Sequence, residues 1–233
     1  MSLKQEIRQC STPERALKNQ RYFKMGKGEY SHGDIFLGAR SPDLRRLAKK
    51  YKDLSTRNTL ALLHSKYHED RLTALFVMVL QYKGASKDPA RQKSLYETYV
   101  KNFKWINNWD LVDVSTPYIV GMHLMDRSRK PAYKWLKSKD MWTRRIGMVA
   151  NWWWVRQGDL SDVFKMSKIL LGDSEDLMHK AVGWMLREAG KKDRKALDEF
   201  LYENYEDIPR TSLRYAIERH PEGLRKKILK GQF

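Results

Sequence analysis

The sequence predicts an all-α fold on three observations. Apolar residues recur at helical spacing: Leu72, Leu75, Phe76, Val79 and Leu80 fall at i, i+3, i+4, i+7 and i+8, and Leu177, Ala181, Val182, Met185 and Leu186 form a similar stripe. That is the pattern of an amphipathic helix with one buried face. No run alternates Val, Ile or Thr with polar residues, and no Asn-Gly or Asp-Gly turn separates two such runs, so strands and hairpins are not expected. Finally, the apolar helices recur: centres near Ala74, Val112, Gly147, Ala181 and Ala216 lie 38, 35, 34 and 35 residues apart.

Taken in order, the helix boundaries are marked by Ser41-Pro42, Asp88-Pro89, Lys130-Pro131, Gly158-Asp159, Gly172-Asp173 and Pro209. Each is a turn or a first helical residue, since proline fits the first turn and glycine the end of a helix. A repeat of this length without tetratricopeptide or ankyrin consensus residues predicts degenerate HEAT-like helix pairs. Such pairs stack into a curved α-solenoid with a concave face, here one continuous domain over residues 1–233.

Composition narrows the partners. The chain has 233 residues, with 46 Lys and Arg against 28 Asp and Glu, a formal net charge of +18, and 41% hydrophobic residues. This is enough for a sizeable core and excludes a disordered or collagen-like chain. The longest apolar stretch, Leu72 to Leu80, is interrupted by Thr73 and falls far below the roughly 18 residues that cross a bilayer. The start, Met1-Ser2-Leu3-Lys4-Gln5-Glu6, turns charged at once, so no secretory signal is expected, and Cys10 is the only cysteine. A reducing, cytoplasmic location fits best, nucleoid-associated in a bacterium. Basic residues are spread along the chain, at Arg45-Arg46, Lys49-Lys50, Arg144-Arg145, Lys191-Lys192 and Arg225-Lys226-Lys227, rather than packed beside one apolar helix. That favours nucleic acid over a membrane surface; repeat architecture alone slightly favours a protein-binding scaffold, and the basic composition moves the balance back to nucleic acid.

Familiar catalytic signatures are missing: no glycine-rich phosphate loop follows a strand, and there is no Gly-x-Ser-x-Gly elbow. His64 and His68 stand at i, i+4, but without a third ligand they read as solvated histidines on a helix face rather than a metal site. The eight tryptophans, at 105, 109, 135, 142, 152, 153, 154 and 184, should mostly be core. Two have unusual company. Asn107 or Asn108 can cap a helix that begins at Trp109, which puts Trp109 and Asp113 one turn apart on one face while Leu111, Val112 and Ser115 point elsewhere. Lys180, Trp184 and Arg187 align likewise, and Gly183 permits close approach of a neighbouring helix. Taken alone, Asp113 reads as an ordinary helix ion pair and Trp184 as a core plug.

Five segments occur in the order of the motifs of the AlkD family of DNA alkylation-repair glycosylases, which the chain resembles from about residue 20 to 220. They are Phe36-Leu37-Gly38-Ala39-Arg40-Ser41-Pro42-Asp43-Leu44-Arg45, Trp109-Asp110-Leu111-Val112-Asp113, Trp142-Thr143-Arg144-Arg145, Lys180-Ala181-Val182-Gly183-Trp184-Met185-Leu186-Arg187-Glu188 and Ser212-Leu213-Arg214-Tyr215-Ala216-Ile217. The resemblance implies a solenoid that holds duplex DNA in its concave face. It further implies a monofunctional glycosylase that excises cationic N-alkylated purines, 3-methyladenine and 7-methylguanine, in base excision repair while the lesion stays stacked.

By the same resemblance, Trp109, Asp113, Arg145 and Trp184 form the catalytic cleft, Arg187 lies at the DNA backbone, and Arg40, Ser41, Arg45, Lys180 and Arg214 are further DNA contacts. Asn108 stands where the family has an aromatic neighbour of Trp109, and Arg40 where it has a neutral polar residue. No metal or organic cofactor and no membrane are implied, and the protein would act as a monomer on double-stranded DNA. Relatives of this fold that bind DNA without cleaving it supply the alternative, a non-catalytic binder of damaged or branched nucleic acid.

Overall fold

The computed structural model describes residues 2–232, which form two compact all-helical units, one up to Ile119 and one from Val120. The first contains α1 (Leu3–Gln9), α2 (Pro13–Tyr22), α3 (Ser41–Lys50), α4 (Thr56–Leu63), α5 (His68–Gly84), α6 (Pro89–Lys101) and α7 (Trp109–Thr116). The second contains α8 (Met122–Leu124), α9 (Lys130–Trp135), α10 (Met141–Val149), α11 (Asn151–Arg156), α12 (Val163–Ile169), α13 (Asp176–Gly190), α14 (Arg194–Glu203), α15 (Arg210–Ala216) and α16 (Glu222–Ile228). Among the described residues there is no strand, only an isolated bridge between Ile35 and Tyr67. No described helix is long and apolar enough to cross a membrane.

Local sequence explains the boundaries. Ser2 and Gln5 close a capping box on α1, Thr12 caps α2 ahead of Pro13, Asp88 caps α6 ahead of Pro89, and Asp140 and Asp193 cap α10 and α14. Each side chain accepts a backbone N–H that the helix leaves unpaired, a contribution of about 1 kcal/mol apiece. The five recurrent centres fall in α5, α7, α10, α13 and α15, and Ala74, Val112, Gly147, Ala181 and Ala216 are all buried.

In the first unit, α3, α4, α6 and α7 all pack on α5. The one-sided stripe expected over Leu72–Leu80 is therefore corrected: Ala74, Val77 and Met78 fill the other side, and every residue from His68 to Val79 is buried. A helix that is apolar all round belongs at the centre of its unit. In the second unit α13 plays that part, packing on α10, α11, α12, α14 and α15. The tryptophan expectation also changes, because only Trp142 and Trp154 are buried and the other six are half-exposed.

The closest approach of a glycine to a neighbouring backbone in the second unit is at Gly183. A Cβ there would lie 2.5 Å from both the Ser212 carbonyl oxygen and the Tyr215 Cβ. Alanine normally gains about 1 kcal/mol over glycine inside a helix, whereas forcing a methyl into packed backbone costs roughly 1–3 kcal/mol. With a backbone atom so near, the clash should win. Gly183→Ala should lower unfolding stability by about 1 kcal/mol in denaturant titration, while Gly223→Ala in α16, where nothing lies within 4 Å, should be neutral or stabilising.

Candidate functional site

Residues 23–40, between α2 and α3, form a long segment without regular structure apart from the bridge at Ile35. A loop of this length inside a compact unit must have its backbone groups satisfied from elsewhere. The first turn of α5 does much of this. It buries four consecutive ionisable residues, His68-Glu69-Asp70-Arg71, each engaged with a different segment. The Glu69 carboxylate accepts the Leu37 and Gly38 amides, both at 2.8 Å. Asp70 accepts a two-pronged guanidinium from Arg8 of α1, at 2.5 and 2.9 Å, and the Ser65 hydroxyl at 2.7 Å. Gly38 is required here: its φ is +86°, and a side chain would collide with the backbone of Thr12 and Ala16 at the start of α2.

His68 and Arg71 tie the loop to α7. His68 Nε2 meets Asp110 Oδ2 at 2.8 Å, and Nδ1 lies 3.4 Å from Asp34 Oδ2, an ionic contact outside hydrogen-bond geometry. Arg71 donates to Asp34 Oδ1 at 2.5 Å and to Asn107 Oδ1 at 2.9 Å. Asn108 Nδ2 donates to Ser31 Oγ at 2.5 Å and Asp34 Oδ2 at 3.1 Å, while its Oδ1 accepts the Trp109 amide at 2.8 Å. Asn108, rather than Asn107, is thus the cap of α7. Burial pushes the His68 imidazolium toward its neutral form, but the adjoining Asp110 and Asp34 carboxylates overcome it and hold its pKa up at about 9. Burial likewise opposes the charged Asp34, and His68 and Arg71 bring it down to about 2. The expectation of solvated histidines is corrected for His68, which is a buried cation at the head of α5, whereas His64, which ends α4, is exposed and bonded to Asn102 at 2.6 Å.

This scaffold sets the Trp109 ring. Phe23 stacks on it at 5.4 Å between centroids, Tyr22 meets it edge-on at 5.9 Å, and the indole N–H donates to the Tyr30 hydroxyl at 3.3 Å. Phe23 continues to Phe36 at 4.7 Å, and Phe36 to His68 at 4.5 Å. A cavity of about 410 Å³ opens beside this stack, bounded by α2, α3, α5 and α7. Asp113 is half-exposed one turn after Trp109, while Leu111, Val112 and Ser115 are fully buried.

The remaining expected residues divide between the units. In the first, Arg40, Ser41 and Arg45 are exposed at the start of α3, with Arg40 paired to Asp43 at 3.0 Å and Arg45 stacked over Phe76. In the second, Lys180, Trp184 and Arg187 are half-exposed along α13, while Ala181, Val182, Gly183, Met185 and Leu186 are buried. Lys180 pairs with Asp176 at 2.7 Å, Arg187 pairs with Glu218 and lies near Glu188, and Arg214 is exposed. Arg145, expected in the catalytic cleft, is only 4% exposed and donates to the Leu177 carbonyl at 2.5 Å, so it braces α10 against α13.

Sequence reasoning missed Asp34, His68, Arg71 and Asp110. The available signal was that a helix apolar on every side has no solvent face on which His68-Glu69-Asp70-Arg71 could lie.

The profile of the DNA alkylation repair enzymes matches residues 3–220. A solved structure described as a predicted DNA alkylation repair enzyme from Enterococcus faecalis superposes with a TM-score of 0.69 at 16% identity, over 91% of this chain and 97% of that one. This is a likeness of fold. No curated protein sequence matches the chain.

The buried cluster gives stability a defined pH dependence. His68 gains protons relative to the unfolded chain, so its contribution is complete below about pH 6.5 and is lost as pH rises through 9. Asp34 acts oppositely, with stability present above about pH 3.8 and lost as pH falls through 2. Thermal melts of the wild type should therefore weaken between pH 6.5 and 9 by on the order of 3 kcal/mol. His68→Gln should be less stable at pH 6 and show a flatter profile over that window.

Proposed function

The chain belongs to the DNA alkylation repair enzyme family, and from that premise we propose that it is a monofunctional DNA glycosylase for cationic N-alkylated purines, 3-methyladenine and 7-methylguanine, in duplex DNA. The observation that carries the proposal is the pairing of Asp113 with Trp109 on the half-exposed face of α7.

The chemistry suits these groups. An N-alkylated purine is already cationic, so when the N-glycosidic bond breaks it leaves with the bonding pair as a neutral base and needs no general acid. Positive charge then develops on the deoxyribose. The Asp113 carboxylate stabilises that charge, and the Trp109 face attracts it through its quadrupole. Water adds to the anomeric carbon, and its proton passes to Asp113 or to solvent. The product is an abasic site for base excision repair. In the second unit, Trp184 is proposed as an aromatic contact to DNA, with Arg145 positioning it by bracing α10 against α13.

Backbone contacts fall to the exposed cations. Both units carry an excess, 22 Lys and Arg against 12 Asp and Glu up to Ile119 and 24 against 16 beyond it. Arg40, Ser41 and Arg45 in the first, with Lys180, Arg187 and Arg214 in the second, are proposed at phosphates, Arg187 by exchanging Glu218 for the DNA.

A carboxylate about 4 Å from a unit positive charge is worth on the order of 4 kcal/mol at an effective dielectric near 20, and most of it appears only in the transition state. Asp113→Asn should slow release of 7-methylguanine from duplex DNA by roughly 100- to 1,000-fold, with DNA affinity unchanged or slightly higher. Wild-type protein that binds the duplex but releases no base would instead be the non-catalytic binder. Affinity should also fall with salt at a log–log slope of about −0.9 per phosphate contact. Arg214→Ala should reduce that slope by about one, and an unaltered slope would remove Arg214 from the interface.

A further inference from the structure

We propose that the loop tip from Lys24 to Glu29 is a phosphate site that holds the DNA backbone beside the nucleotide facing Trp109 and Asp113. The assignment rests on the reading that the chain acts on duplex DNA, and goes beyond it by giving the phosphate next to the reacting sugar a partner.

The need for such a partner follows from α7. Every sugar within a strand is flanked by phosphates, and Trp109-Asp110-Leu111-Val112-Asp113-Val114-Ser115-Thr116 contains no Lys or Arg. The helix that supplies the carboxylate cannot balance the backbone charge itself. The loop can, because both of its ends are fastened at Trp109: Phe23 stacks on the indole, and the Tyr30 hydroxyl accepts the indole N–H. Asn108 ties down Ser31, whose amide donates to the Lys24 carbonyl at 3.4 Å and closes the loop at its neck.

The tip reads Lys24-Met25-Gly26-Lys27-Gly28-Glu29. Lys24 and Lys27 are exposed, and neither ammonium has an acidic partner among the described residues. Arg40, Lys180 and Arg187, by contrast, must each leave a carboxylate to meet a phosphate. Lys24 also stands at a φ of +52°, in the left-handed region that glycine adopts readily and lysine only at a cost. Backbone outliers of this kind collect at functional sites, and here the reason for a lysine lies in its side chain.

The tip already holds one anionic group. The Glu29 carboxylate accepts the Gly26 amide at 2.7 Å, and a Cβ on residue 26 would lie 2.8 Å from Glu29 Oε2. The space at this amide is open because residue 26 is glycine, and a carboxylate oxygen occupies it where a phosphate oxygen would. Exposed backbone amides with cations beside them are a common way to bind phosphate. Exchanging Glu29 for the DNA backbone gives the phosphate the Gly26 N–H and two ammonium groups. A hold on the backbone alone leaves the base in the stack.

Anisotropy of a labelled duplex across a salt series tests the site. Lys24→Gly suits the local backbone and should melt at the wild-type temperature or above, and Lys24→Asn is a second variant that tolerates the same φ. Either should make the log–log salt slope shallower by about 0.9, a loss of about eightfold in affinity at 0.1 M salt for an unaltered affinity at 1 M. Glu29→Gln removes the competing charge and should bind duplex more tightly than the wild type. To place the contact, a neutral methylphosphonate replaces, one at a time, the two phosphates flanking a tetrahydrofuran abasic analogue. At one of the two positions it should weaken the wild type by a similar factor and leave Lys24→Gly unaffected, since both changes remove the same contact.

An unaltered slope in both Lys24 variants overturns the proposal. So does Glu29→Gln binding no more tightly, or methylphosphonate and Lys24→Gly losses that multiply at both positions. Excision of 7-methylguanine measured alongside keeps the two readings apart. Excision with an unaltered slope removes the loop site alone, and a shallower slope in a protein that excises nothing removes the glycosylase reading alone.

Discussion

The first unit depends on a buried ion pair, His68 with Asp110, extended on one side by Asp34 and Arg71. Such clusters are poor sources of net stability, because desolvating the charges costs about as much as their attraction returns. Their effect is positional. With His68 and Asp110 in contact, the first turns of α5 and α7 are held at one separation, and Asn108 and Asp34 bring the loop of residues 23–40 onto both. Trp109, which opens α7, inherits its place from that arrangement, and so does Asp113 one turn later. The aromatic stack from His68 through Phe36 and Phe23 to Trp109 then fills the space that the polar contacts define.

Much of this was legible from residue types and spacing, and the limits of legibility have physical causes. The pairing of Trp109 with Asp113 follows from helical geometry once an asparagine cap is recognised, and Asn108 supplies it. The alternation of buried and half-exposed residues along α13 follows from its apolar stripe in the same way. His68 could not be placed, because a histidine opening a charged turn looks solvated until the apolar residues around the whole of α5 show that no face is left for water. The burial of Arg145 was illegible for a related reason: its place in the cleft was carried over from a motif, whereas its burial is a property of how α10 meets α13. The tryptophans were read as core by type, yet six keep an edge in solvent.

Electrostatics in this chain work at two scales. The net charge of +18 is a surface property that a polyanion would relieve. Individual arginines tell a more particular story, since several of those expected at DNA already have acidic partners in the protein: Arg40 has Asp43, Lys180 has Asp176 and Arg187 has Glu218. A phosphate would have to compete with these carboxylates, so each such contact contributes only the difference between two ion pairs. In the proposed function the long-range field would draw DNA to the surface, and the exposed cations with no such partner would set how tightly it is held.

The run His68-Glu69-Asp70-Arg71 has a consequence for how the unit assembles. Its four side chains reach α7, the Leu37-Gly38 turn, α1 and the Asp34 loop, so no subset of those segments can dock without leaving a charge dehydrated and unmatched. Half-built states are thereby penalised. The N-terminal helix, the long loop and the helix bearing Trp109 should close onto α5 in one cooperative step, and this turn of four residues makes their folding all-or-none.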